Sequence, residues 1–205
     1  MKRIKFIKKT KSKSYPFFIG HKILNQTGSI LKKNLPNVKK IAIITDNKIP
    51  KKIVSQLKNS LRNYKVNVFF LNSGEKSKNI KSIFTLVNSL LKLKFNRSDC
   101  LIALGGGVVG DASGLTANLV KRGIKFVNIP TTLLAQVDAS IGGKTAVNSN
   151  YGKNLIGTFY QPDFVLSDMA ILKSLPRREM VAGYAEILKH ALISNRNFFS
   201  WLSKN

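Results

Sequence analysis

Nine acids stand among 205 residues, and five of them sit where ligands are usually met. Asp46 closes an apolar run, and Glu75 lies in SGEKSK (73–78). Asp111 ends GGGVVGD (105–111), Asp138 precedes a glycine pair, and Glu186 lies where a helical domain opens. In so acid-poor a chain this placement favours binding roles. Glycines at a strand-to-helix junction let the backbone approach a pyrophosphate, with helix N–H groups facing it. Gly105, Gly107 and Gly110 fit G-x-G-x-x-G, yet no acid follows about 20 residues on, so the match is weak. A tight turn packing helix on strand would use the same glycines, and Asp111 in a first helical turn could only complement the helix dipole. Asp46 at a strand end could accept ribose hydroxyls or cap the next helix. Glu75 could grip a ribose too, or sit in a solvated loop.

Ile141–Thr145 (IGGKT) looks like the end of a phosphate-binding P-loop, but Asp138 stands where its first glycine belongs, which argues against a nucleotide triphosphatase. Lys144 and Lys153, on glycine-rich loops, suit an anionic substrate, although 28 lysines make solvated surface positions an equally ready account. Glu186 and His190 share one helical face. A Glu and a His make an incomplete metal site, and His190 reads better as a partly buried helix residue.

Strand-like and helical stretches alternate around these residues. IKFIK (4–8) and YPFFIG (15–20) read as paired strands. Residues 39–45, 65–71, 99–104 and 124–129 read as further strands. Residues 49–61, 80–93 and 108–121 read as helices, the second with Ile83, Leu86, Val87, Leu90 and Leu91 on one face. The pattern predicts an α/β fold, Rossmann-like, with a mostly parallel sheet covered on both faces. After Pro176 residues 177–194 are helical without a strand partner. The expected organisation is a nucleotide-binding α/β domain over 1–172 and the incomplete beginning of an all-α domain over 173–205.

The chain is 43% hydrophobic, enough for one sizeable core. No apolar run reaches the roughly 18 residues of a membrane span. The start is basic but lacks the apolar stretch of a secretory signal. Its lysine bias and strand-like alternation argue against a transit peptide. The single Cys100, within CLIAL, reads as a buried thiol in a reducing cytoplasm. Residues 1–65 carry 18 Lys/Arg against Asp46 alone, and the net charge is +26. These bases are scattered, without interleaved aromatics or a compact arginine cluster. We therefore read the charge as compositional and not as a nucleic-acid surface, though such a field attracts phosphorylated substrates.

Together GGGVVGD (105–111), IPTTLLAQVDASIGGKTAVN (129–148), GKNLIGTFYQP (152–162) and GYAEILKH (183–190) resemble the 3-dehydroquinate synthase family, with SGEKSK (73–78) also in register. The resemblance runs from Lys5 onward. It implies NAD and one divalent metal, zinc or cobalt, between a nucleotide-binding domain and a helical domain. It also implies conversion of 3-deoxy-D-arabino-heptulosonate 7-phosphate to 3-dehydroquinate and phosphate in the shikimate pathway. The steps are transient oxidation of a substrate hydroxyl, phosphate elimination, re-reduction, ring opening and an intramolecular aldol closure.

Carried over by position, the resemblance places Asp46, Ser73, Gly74, Glu75, Lys76, Ser77 and Lys78 at NAD. With them come Gly107, Val108, Val109, Gly110, Asp111, Thr131, Thr132, Ile171, Leu172, Lys173 and Ser174, and Lys144 and Lys153 reach both cofactor and substrate. Asp138, Lys144, Lys153, Asn154 and Lys189 should face the sugar phosphate, with Arg122 arriving from a neighbouring subunit of a homodimer. Glu186 matches the metal-binding glutamate. The family's two metal histidines lie beyond position 205, and His190 matches neither. The chain alone is therefore expected to lack part of the active site and to be inactive. Another sugar-phosphate cyclase, or a polyol dehydrogenase of the same fold, is the alternative.

Overall fold

A computed structural model describes residues 2–6 and 14–204. Its main sheet has seven strands. In chain order they are β1 (Lys2–Phe6), β2 (Tyr15–Gly20), β3 (Lys40–Asp46), β4 (Lys65–Leu71), β5 (Cys100–Gly105), β6 (Lys125–Pro130) and, after a hairpin, β9 (Phe164–Asp168). The spatial order is β1-β2-β9-β6-β5-β3-β4. Only β1 runs antiparallel, against β2; the other six strands are mutually parallel. The expected pairing of the first two strands holds, with residues 7 and 8 of IKFIK outside the described residues.

Six helices accompany the sheet: α1 (Thr27–Asn34), α2 (Lys51–Ser60), α3 (Ile80–Lys92), α4 (Gly107–Leu119), α5 (Arg177–Ser194) and α6 (Arg196–Leu202). Successive strand side chains point to opposite faces, and β3 shows the result. Ile41 and Ile43 join α1 and α2 in one core, while Ala42 and Ile44 join α3 and α4 in the other. All six residues of β5 are buried, the continuous apolar run of a strand covered on both faces. Burial pushes the Cys100 thiol well above its ordinary value. α3 turns Ile83, Leu86 and Leu90 inward, but Leu91 is exposed, so the expected apolar face is narrower.

Four features were not foreseen in the sequence: α1, β9, α6, and the antiparallel hairpin of β7 (Lys144–Ser149) and β8 (Gly152–Phe159). Lys144 and Lys153 therefore sit on hairpin strands, not on glycine-rich loops. A Cβ on Gly114 of α4 would collide with the Thr145 side chain, so the glycine lets the hairpin lie against that helix. α5 spans the expected residues but buries only Gly183 and Ala191. Among the described residues no helix is long and apolar enough to cross a membrane.

Candidate active site

Parallel strands deliver their carboxyl ends to one edge, where open α/β sheets bind ligands. Asp46 ends β3, residues 73–78 follow β4, Gly106 follows β5, Thr131 follows β6, and Met169–Ser174 forms a short turn after β9. The scattered candidates for a dinucleotide are thus gathered along one rim.

Asp46 Oδ1 accepts Ser73 Oγ at 2.8 Å and Lys48 N at 2.8 Å. It caps no helix, because Pro50 is the N-cap of α2. Glu75 begins a short turn and accepts Asn148 Nδ2 at 2.7 Å, which ties it to the hairpin. At the glycine turn no side chain caps α4. A Cβ on Gly107 would meet only Ala139 Cβ, at 3.6 Å, so its approach is open. Thr131 Oγ1 is buried without a hydrogen-bond partner. An uncapped helix start, an open glycine and an orphaned hydroxyl fit a pyrophosphate-bearing cofactor. Val109 instead packs inward and Gly110 N donates to Gly106 O at 3.0 Å, so both serve the helix itself.

Asp111 lies beyond the first turn of α4 and is not merely complementing its dipole. Its carboxylate pairs with the buried Lys78 ammonium, which also donates to Asn154 Oδ1 at 2.5 Å. Burial pushes the Asp111 carboxyl above the ordinary carboxylate range, against the pull of Lys78. Asn154 holds a left-handed backbone, φ 60°, and its N–H donates to Asn148 Oδ1 at 2.9 Å. One ammonium thus joins the loop after β4, helix α4 and strand β8.

Beside this knot lies a cavity of about 500 Å3. Asp111, Asp138, Lys144 and Asn154 supply its charged and amide groups, and Leu155 and Phe159 flank it. A larger groove of about 1020 Å3 lies between α1 and α2, away from every candidate residue, and holds no acid. We take the smaller cavity as the candidate site, because it collects opposite charges beside the glycine turn.

Asp138 sits on a π-helical turn, Ala135–Ala139, of the kind often found at functional sites. Gln136 anchors that turn by donating to Pro130 O and Asp168 O, each at 3.2 Å. α5 crosses close by: a Cβ on Gly183 would stand 2.6 Å from both Leu133 Cβ and Leu134 N. This close approach brings Glu186, one turn on, toward Asp138. Ligand atoms of Asp138, Glu186 and His190 all lie within 4.8 Å of one another. Glu186 Oε1 contacts Lys189 Nζ and lies 3.4 Å from His190 Nε2. The Glu186 carboxylate holds the Lys189 ammonium above its ordinary value. The His190 side chain is half exposed on α5. Two carboxylates and an imidazole fit a divalent metal of zinc or cobalt type.

Two expected residues are not brought in. Lys153 is exposed and does not line the cavity. Arg122 lies in a separate groove with Asn96, Arg97 and Ser98. Sequence reasoning also passed over Asn148, Asp168 and Gly183. Buried Asp168 accepts Lys22 N, Leu24 N and Ala170 N at 2.7–2.9 Å and pins the ends of β2 and β9. Gly183 carried a legible signal, since a glycine inside a helix costs about 1 kcal/mol and implies a compensating close approach.

Comparison with known proteins identifies the family and the fold. The family described as 3-dehydroquinate synthase N-terminal matches residues 68–182. The 3-dehydroquinate synthase of Pelagibacter ubique is 52% identical over 202 residues, covering 98% of this chain and 55% of that protein. A 2-deoxy-scyllo-inosose synthase solved with carbaglucose-6-phosphate, NAD+ and Co2+ superposes with a TM-score of 0.86 at 30% identity, covering 94% of this chain and 52% of that one. The 2-epi-5-epi-valiolone synthase of Streptomyces hygroscopicus, solved with NAD+ and Zn2+, gives a TM-score of 0.83 at 30% identity and covers 94% and 53%. The chain spans about half the length of the curated relatives it matches. It belongs to the 3-dehydroquinate synthase family.

Proposed function

We propose that the protein acts as a 3-dehydroquinate synthase, a lyase that takes 3-deoxy-D-arabino-heptulosonate 7-phosphate to 3-dehydroquinate and phosphate. The observation that carries this reading is the cavity that sets Asp111, Asp138, Lys144 and Asn154 beside the glycine turn. NAD would lie along the rim from Asp46 through Gly107 to Thr131, and its chemistry is reversible oxidation of one substrate hydroxyl. Glu186, with Asp138 and His190 near it, would hold a divalent metal, which when bound polarises that hydroxyl.

The chain's own residues bind and orient. Lys144 neutralises an anionic group of the substrate, and Lys189 stands ready at the α5 side. Asn154 presents its amide into the cavity, held there by Lys78. Arg122 takes part through a homodimer, a reading compatible with its place in a groove of its own with Asn96, Arg97 and Ser98. The buried Cys100 suits a cytoplasmic setting.

A second reading is another sugar-phosphate cyclase, favoured by the 30% identity to two such enzymes. The deciding experiment measures phosphate release with NAD and Co2+ present, from the heptulosonate phosphate and from hexose and other heptulose phosphates. Selective release from the heptulosonate supports the proposal. Preference for another phosphate refutes it in favour of the second reading. Net NADH formation from glycerol would instead indicate a polyol dehydrogenase.

A further inference from the structure

We infer that Gln161 and Tyr15 are positioning residues that fix Lys144 at the cavity, by clamping the glycine pair in front of it. The inference rests on the substrate-binding role proposed above for Lys144. Gly142 and Gly143 both hold left-handed backbone, with φ 91° and 69°. Glycine is the freest residue a chain can carry, and a residue that follows two of them inherits their freedom. Here three hydrogen bonds remove it. Gln161 Nε2 donates to Gly142 O at 3.0 Å. Gly142 N donates to Tyr15 Oη at 3.2 Å. Tyr160 N donates to Gly143 O at 2.7 Å, which carries the β7–β8 pairing one residue further. Lys144, the first residue of β7, follows at once and pairs with Phe159.

The fit of the clamp is specific. A Cβ on Gly143 would stand 2.6 Å from Gln161 Cδ, so the glutamine occupies the space that the glycine leaves free. Gly142 O can only accept, which turns the amide nitrogen of Gln161 toward it. Gln161 Oε1 is then left buried without a hydrogen-bond partner among the described residues. An unpaired buried oxygen is costly, so a glutamine here in place of an apolar side chain points to the bond that Nε2 makes. The other end of the clamp is fixed in the core. Tyr15 is buried in β2, and Ile141, just before the glycines, packs on the same cluster. The turn from Ile141 to Lys144 thus starts docked and ends exposed at the cavity. A cation held in place in advance binds an anion without first losing that freedom, so the clamp acts on substrate affinity.

The test uses the full-length protein and measures phosphate release from the heptulosonate phosphate with NAD and Co2+ present. Gln161→Met nearly keeps the volume and removes the donor, and Tyr15→Phe deletes one hydroxyl and no carbon. Gln161→Met should raise KM for the sugar phosphate about tenfold and Tyr15→Phe about threefold, with kcat changed by no more than about twofold. Circular dichroism of each variant checks the fold, and Tyr15→Phe carries the same comparison if Gln161→Met does not fold. The deciding readout is a double-mutant cycle. In a Lys144→Ala background neither substitution should lower kcat/KM further, because residues that act through one group are not additive. Equal fold losses in both backgrounds overturn the inference and leave the role of Lys144 standing. An unchanged KM in both single variants overturns it too. Native phosphate release in Lys144→Ala overturns the substrate role of that lysine, and the inference with it.

Discussion

Substituting Gly183 by Ala should move Glu186 away from Asp138 without unfolding the protein. The new Cβ would stand 2.6 Å from Leu133 Cβ and Leu134 N, whereas non-bonded carbons settle near 3.5–4.0 Å. About 1 Å must be found. The turn bearing Asp138 cannot easily give it, because Ala135, Gln136 and Ser140 are buried and Gln136 is anchored twice. α5 buries only Gly183 and Ala191, so the helix is the side that moves. Overpacking costs about 1–3 kcal/mol, and the better helix propensity of alanine returns up to about 1 kcal/mol. The net loss should be about 0–2 kcal/mol, a fall of a few degrees in Tm. Glu186 travels with α5, and a shift near 1 Å at a functional site can cost about 100-fold. Thermal melting with cobalt calorimetry is the assay. The expected result is a nearly native melt with cobalt affinity weakened at least tenfold. Native cobalt affinity in Gly183→Ala would refute the claim that this glycine sets the distance between Glu186 and Asp138.

Other sites give sharper separations of binding from folding. Gly107→Val should keep the melting temperature within a few degrees, because a Cβ there meets only Ala139, yet saturation-transfer NMR should show that NAD no longer binds; equal NAD binding would remove Gly107 from the cofactor site. In the full-length protein Lys144→Ala, at an exposed cavity position, should melt like wild type and sharply reduce phosphate release; the reverse pattern would make that lysine structural. Asp111 has a raised folded pKa, so the native state holds its proton more tightly than the unfolded chain does. Its contribution to stability should fall as pH rises from the ordinary carboxylate value near 4 to the raised one. The difference in unfolding free energy between wild type and Asp111→Asn, followed by denaturant titration, should decline across that interval and level off above it; a difference that grows with pH would contradict the burial argument.

Much of the sheet was legible because parallel strands advertise themselves as apolar runs. KIAIIT and CLIALG could be little else, and their carboxyl ends located Asp46 and the glycine turn. β9 (FVLSD) escaped notice because its five residues are short and it pairs with β6 and β2, both distant in sequence. The hairpin was hidden by Gly142, Gly143, Gly152 and Gly157, which read as loop. Gly157 is in fact required where β8 passes over the backbone of Thr145. The resemblance put Lys78 at NAD, but only the fold reveals that it is buried against Asp111. The meeting of Asp138 with His190 joins positions 52 residues apart, and no local pattern could announce it. Roles for Lys144, Asp138 and Asn154 came from resemblance, and the cavity now gives them a common place.

The shared ammonium of Lys78 has a thermodynamic consequence. Its partners belong to a helix whose start faces the proposed dinucleotide site and to a strand that lines the cavity proposed for the substrate. A ligand that steadies either partner lowers the conformational cost of ordering the other. Linkage makes the effect reciprocal: whatever factor the dinucleotide lends to substrate affinity, the substrate must return to the dinucleotide. On the proposed function, occupancy of the two halves of the cleft would be coupled through a single buried side chain, and Lys78→Met should lower that coupling factor toward one.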